Sequence, residues 1–196
     1  MFSRRNKFPF YIFILIFFFT KMVLAESILI NKTIKYLESL KFFSGSFIQI
    51  EGNEVSEGKL FIGKKRVRVE YLKPSKILII LDDNKAMYYN YELDEDEFFN
   101  PKNTSAWFFY DIFNNPDFFE DSSIKKKDNN IIISKEISND LGVFNIKILF
   151  ENNPLLIRKI ELLINDSLLE LSLFDHNYNE EFDRSFFKLI NPKFFD

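Results

Sequence analysis

One stretch constrains this chain more than any other: Gly58 to Tyr91, reading GKLFIGKKRVRVEYLKPSKILIILDDNKAMYYNY. It holds four strand-like segments with turn residues between them. Val67, Val69 and Tyr71 alternate with Arg68, Glu70 and Leu72, so one face is apolar and the other mostly charged. The run from Lys76 to Leu81 is apolar after its first residue, as in a strand buried on both faces. A sheet of this kind presents a greasy surface, and nothing in it resembles catalytic equipment. The pattern points to binding an apolar ligand rather than transforming one.

The search for chemistry elsewhere yields little. The only histidine is His176, beside Asp175, and no G-x-S-x-G elbow accompanies it. With no cysteine and one histidine the chain offers no transition-metal set, and the acidic run Asp94 to Glu97 reads as a solvated loop. The five glycines build neither a phosphate loop nor a dinucleotide fingerprint. We therefore expect a protein that is not an enzyme, with no catalytic residues, no metal and no cofactor. A hydrolase working through Asp175 and His176 is the weakest alternative.

The first 25 residues read as a secretory signal. Arg4, Arg5 and Lys7 give a basic start, Phe10 to Phe19 is unbroken apolar sequence, and Val23-Leu24-Ala25 offers a cleavage site before Glu26. The apolar run is shorter than the roughly 20 residues of a membrane span. Cleavage there removes four of the 26 basic residues and none of the 29 acidic ones, leaving a net charge of −7. That charge disfavours nucleic acid and anionic membrane surfaces. An exported chain without cysteine rests on its core alone and carries no lipid-modifiable thiol.

The remainder, 26–196, reads as one domain. Ile30, Ile34, Leu37 and Leu40 fall at helical spacing, predicting a helix from Ser27 to Phe43. Strands follow at Ser46–Glu51, Lys59–Ile62, Arg66–Lys73, Ile77–Leu81 and Ala86–Tyr91. Glu92 to Glu97 reads as loop. Thr104 to Phe113, bracketed by Pro101 and Pro116, reads as one or two short helices with excess apolar surface. Strands resume near Ile124 and run through Ile131–Ile137, Val143–Phe150, Leu155–Ile164 and Leu168–Phe174, with a last one near Phe186–Ile190. Lys125 to Lys127 reads as a solvated turn. About ten strands at this spacing describe an antiparallel sandwich or barrel. A barrel of that size is wider than the roughly eight strands whose own side chains fill the interior. Its space must hold helices, water or a ligand. Phe47, Phe61, Val67, Val69, Tyr71, Ile80, Tyr89 and Trp107 are the expected lining, although any one of them singly is ordinary core.

The same stretch resembles the outer-membrane lipoprotein carrier protein (LolA) family. The family's F-x-Q matches Phe47-Ile48-Gln49, and its G-x-L strand entry matches Gly58-Lys59-Leu60-Phe61-Ile62. Its F-R-W-x-Y-x-x-P strand is similar to Val67 through Pro74, with Val69 in the tryptophan's place. Its D-G-K hairpin is similar to Asp83-Asn84-Lys85 and the residues to Asn90. The resemblance implies a mainly β fold with α: an unclosed antiparallel β-barrel of about ten or eleven strands covered by a helical lid. It implies a monomeric periplasmic chaperone of a Gram-negative bacterium. Acylated lipoproteins would be taken from an inner-membrane lipoprotein-releasing ABC transporter and passed to an outer-membrane lipoprotein receptor. The family's arginine-proline pair, whose arginine closes the lid through backbone carbonyls, is replaced by Lys64-Lys65, so Lys64 and Arg66 are the candidates for lid gating. The competing function is a sensing or scaffold module of the same fold, tethered through an uncleaved residue 1–25 segment.

Overall fold

The computed structural model describes residues 26–139, 141–183 and 185–195; the expected signal segment and its cleavage site lie outside them. Eleven strands form one antiparallel sheet. They are β1 (Phe43–Glu51), β2 (Glu54–Gly63), β3 (Arg66–Lys73), β4 (Ile77–Leu81), β5 (Ala86–Asn90), β6 (Glu95–Phe99), β7 (Ser123–Lys127), β8 (Asn130–Asn139), β9 (Gly142–Asn152), β10 (Leu155–Ile164) and β11 (Ser167–Asn177). Their spatial order is β6-β5-β4-β3-β2-β1-β11-β10-β9-β8-β7. The first six strands meander outward from β1, and the last five meander back until β11 pairs with β1. β6 and β7 are the two free edges, so the sheet does not close.

Residues that face one another across a ladder share a face of the sheet. Val67 lies opposite Ile62 and Leu81, and Val69 opposite Leu60 and Ile79. Followed across every pair, this parity puts Phe43, Phe47, Ile131, Ile133, Phe144, Ile146, Ile148, Phe150, Ile160, Leu162, Leu171 and Leu173 on one inner face. All of them are buried in a single core.

Two helices cover that face: α1 (residues 26–39) and α2 (Ala106–Asn114). The segment from β6 to β7 carries α2, flanked by 3-10 turns at Pro101–Asn103 and Pro116–Phe119. It therefore runs from one open edge of the sheet to the other. α2 buries Phe108, Tyr110, Ile112 and Phe113, an apolar face too wide for a helix with only one covered side. α1 contributes Leu37 and Leu40 to the same core. Its buried Thr33 returns its hydroxyl to the Ile30 carbonyl at 2.8 Å, so the polar group is satisfied within the helix.

The outer face of the first half of the sheet has a different cover. Leu78, Ile80, Met87 and Tyr89 form a second small core against Leu189. The tail after β11 supplies it. Phe186–Ile190, expected as a strand, instead crosses the sheet in turns. Arg66 donates to the Phe187 carbonyl at 2.7 Å and Arg68 to the Phe186 carbonyl at 2.6 Å. The Arg68 guanidinium also sits 4.2 Å from the centre of the Phe186 ring. A Cβ on Gly63 would lie 2.7 Å from the Phe187 ring, so only glycine lets that ring seat. The tail's carbonyls face arginines rather than a strand partner, which is why the apolar pattern there is not a strand.

Two charged stretches that read as loop or turn are strands: β6 pairs with β5, and β7, which carries Lys125 to Lys127, pairs with β8. Both are edges, where charged side chains resist pairing with other chains.

Candidate functional site

The F-x-Q of β1 works through its neighbours. Phe47, Gly58 and Tyr71 lie side by side across β1, β2 and β3. A Cβ on Gly58 would come within 2.3 Å of the Glu70 carbonyl and 2.5 Å of the Phe47 ring. Gly58 thus lets Phe47 lie flat over β2 and meet Tyr71 edge-on, with ring centres 5.2 Å apart. The Tyr71 hydroxyl donates to Gln49 at 2.7 Å, and burial pushes its pKa up to about 12. One polar pair is thereby satisfied within a mostly apolar inner wall.

Of the eight expected lining residues, Phe47, Val67, Val69 and Tyr71 share the inner face, and Trp107 packs against the same core from α2. Phe61, Ile80 and Tyr89 have the opposite parity and lie on the outer face. Ile80 and Tyr89 are buried there against Leu189, and Phe61 meets Phe186 edge-on at 5.0 Å. These three cannot line a space shared with Val67. On β4 and β5 the inward residues are Ile77, Ile79, Leu81, Ala86, Tyr88 and Asn90.

The inner face is filled by the lid's own side chains. Phe108 packs against Phe144 of β9 with ring centres 4.6 Å apart, and Trp107 lies 4.3 Å from Phe108. The Trp107 Nε1 is buried with no hydrogen-bond partner among the described residues. Open space lies instead at the seam between the helices. A cleft of about 440 Å³ has Ile34, Leu37, Ile112, Phe113 and Phe119 as its floor.

Few polar ties hold the lid. The Tyr36 hydroxyl of α1 accepts from the Ile157 amide at 3.1 Å, at the bulge where the β9–β10 register shifts. It also hydrogen-bonds the Tyr178 hydroxyl at 3.1 Å, and burial raises its pKa. Lys32 donates to the Asn152 side chain at 2.9 Å. The α2 side is tied by Lys135 of β8, which donates to the carbonyls of Phe118 and Glu120, each at 2.7 Å, with its ammonium 5.4 Å from the Phe118 ring centre, and by Lys102, which pairs with Asp83 at 2.9 Å and donates to Asn84 at 3.0 Å.

Of the two expected gating residues, Arg66 lies away from the lid and Lys64 beside it. Arg66 is a correction: it binds Asp82 at 3.0 Å and the tail carbonyl of Phe187, on the face away from the lid. Parity explains this, because Arg66 and Arg68 alternate with the inward Val67 and Val69. Lys64 is at the cleft rim, 5.7 Å from the Phe42 ring centre, and makes no hydrogen bond to a lid carbonyl among the described residues. Lys135 escapes the sequence reading, although a signal for it exists. Ile131, Ile133, Lys135 and Ile137 share one parity, and a lysine there points at the apolar side.

His176 sits edge-on to Phe43, with ring centres 5.3 Å apart, and its Nδ1 is 3.4 Å from the Tyr178 hydroxyl. Burial holds its pKa below the ordinary histidine value. Its surroundings are aromatic rather than those of a Ser-His-Asp relay. The described residues contain no cluster of three or more metal-ligating side chains. No described helix is long and apolar enough to cross a membrane.

Three solved structures are similar to the chain to different degrees. An uncharacterized conserved protein from Thermus thermophilus aligns with a TM-score of 0.53 at 10% identity, over 82% of this chain and 91% of its own. A DUF1329 family protein from Desulfovibrio piger gives 0.47 at 9% identity, over 82% and 96%. The Pseudomonas aeruginosa MucA/MucB complex gives 0.46 at 10% identity, over 81% of this chain but only 59% of the matched one. At such identity the first likeness speaks to fold alone, and the other two carry no argument. No curated protein matches the chain in sequence. The family model of the outer membrane lipoprotein carrier protein LolA matches residues 38–190, from the end of α1 through the tail. On that match, and with an unclosed antiparallel sheet under a two-helix cover, the chain belongs to the LolA family.

Proposed function

We propose that this protein is a periplasmic chaperone that shelters the acyl chains of lipoproteins between the inner face of its sheet and its lid. It takes them from an inner-membrane lipoprotein-releasing ABC transporter and delivers them to an outer-membrane lipoprotein receptor. One observation carries the reading: a continuous apolar wall spans the sheet, and its cover is two helices with few polar ties.

Magnitudes support exchange of lid for cargo. Burying Phe108, Tyr110, Ile112 and Phe113 is worth roughly 6–12 kcal/mol at about 1.5–3 kcal/mol each. An acyl chain of about 16 carbons gains about 12 kcal/mol at about 0.8 kcal/mol per buried CH₂. The two are close, so cargo can displace the lid's side chains and later be displaced by them. A tighter lid would refuse cargo and a looser one would fail to release it.

The test is mass spectrometry of protein purified from periplasm. Bound acylated lipoprotein is expected, together with release of lipoproteins from spheroplasts on adding the protein. Empty protein that releases nothing contradicts the proposal.

A further inference from the structure

The seam cleft has a chemical asymmetry that acyl carriage alone does not require. Its lining is largely apolar, with Asn114 and Asn115 beside the apolar side chains, and it carries Lys41, Lys64 and Lys65 against a single acid, Glu38. All three lysines are exposed, and none is in a salt bridge among the described residues. The acid nearest in effect to Lys65, Asp83, is already paired with Lys102 at 2.9 Å. This excess of positive charge stands on a chain whose residues 26–196 carry a net charge of −7. Lys64 and Lys65 form the tip of the β2–β3 turn, and Lys41 follows α1, so separate elements bring their ammonium groups to one mouth.

We propose that the cleft is a binding site for a free single-chain anionic amphiphile, a long-chain fatty acid. The chain lies on Ile34, Leu37, Ile112, Phe113 and Phe119, and the carboxylate sits at Lys41, Lys64 and Lys65. The inference rests on the acyl-binding reading above and adds a headgroup preference to it. A cleft of about 440 Å³ falls within the size range of small-ligand pockets, roughly 300–1,000 Å³. Ammonium groups at the open rim keep their hydration and meet the carboxylate in water, so the attraction is modest and screened by salt. Its main effect is to choose between headgroups, while the apolar floor supplies affinity.

Equilibrium dialysis of the purified, delipidated protein tests this with radiolabelled palmitate, hexadecanol and hexadecyltrimethylammonium, each kept at trace concentration below its aqueous solubility or micellar limit. Palmitate is expected to bind about tenfold more tightly than hexadecanol at low salt, with the cation weakest and the gap narrowing as salt rises. The double variant Lys64→Glu/Lys65→Glu weakens palmitate about tenfold and leaves hexadecanol within about twofold. Both lysines are exposed, and the melting temperature of the variant reports that it remains folded. Equal binding of palmitate and hexadecanol overturns the proposal, as does palmitate binding that the variant leaves unchanged. A diacylated lipopeptide measured in parallel separates the two readings. If it binds while headgroup discrimination is absent, the anionic site falls and acyl carriage stands. If discrimination is found but the lipopeptide is refused, the site stands and carriage falls.

Discussion

Lys135 stands among Ile131, Ile133 and Ile137 on the inner face of β8, and its two carbonyl acceptors belong to the segment that follows α2. It makes the kind of contact that the family resemblance implies for an arginine, but from the other half of the sheet. Replacing it with methionine keeps the stem and removes the donors. Lys135→Met is expected to cost about 1–3 kcal/mol in chemical denaturation and to speed amide exchange in residues 116–122. Unchanged exchange there would show that the lysine does not hold the lid. His176 gives a second expectation at this scale. Because burial depresses its folded pKa, the unfolded chain binds the proton first as pH falls. The stability contributed by the neutral ring is present above about pH 6.5 and is lost as pH falls through the folded pKa. His176→Phe should therefore flatten the fall in denaturation midpoint between about pH 7 and 5; an unaltered slope contradicts this. Neither residue announces itself by a motif. Lys135 is legible only as a charge at the wrong parity, and His176 only as a lone ring whose neighbours come from β1 and the tail.

Whether an element can be read from sequence depends on what covers it. β3, Arg66–Lys73, is legible to the residue because its two faces differ, valine inward and arginine outward. β4 is legible as a strand but not as a lining, since every residue is apolar and only its register with β3 assigns Ile79 inward and Ile80 outward. The error at Phe61, Ile80 and Tyr89 follows directly: alternation cannot orient a strand covered on both sides. β6 is hidden because its acidic residues carry no strand signal of their own; pairing with β5 makes it a strand, and Asn191 and Lys193 of the tail reach Asp96 and Asp94 from outside. The tail in turn looks like a strand because its phenylalanines are there to cover the sheet. Phe187→Ala should lower stability by about 3 kcal/mol, since its nearly buried ring fills the gap beside Gly63. The folded fraction of that variant should bind acylated ligand normally, because the tail lies on the outer face. A matching loss of ligand binding at full stability would place the ligand on the wrong side of our account.

The whole molecule is one apolar wall with two covers of different strength. The tail is pinned by two arginines through guanidinium-to-carbonyl bonds of 2.6–2.7 Å and by a cation–π contact. The helical cover is tied by Lys135, Tyr36, Lys32 and Lys102, each through a side-chain contact. The weaker cover is the one expected to move. The strand count requires helices, water or a ligand within the curl of the sheet, and among the described residues side chains of the helices pack there. The space is occupied by the lid until something replaces it. Val69→Glu puts a charge on the inner wall, and Trp107→Ala removes lid surface, so both should impair acyl loading more than exposed substitutions on the edge strands do; normal loading by both would refute the inner-wall assignment. Trp107 is the only tryptophan, which makes the central exchange directly visible. The decisive measurement is titration with a diacylated lipopeptide brominated along its acyl chains, since bromine quenches indole fluorescence only on contact. Saturable quenching of Trp107, absent with the lipopeptide's unacylated counterpart, is the predicted result. Binding that leaves Trp107 emission untouched would contradict the claim that acyl chains take the place of the lid.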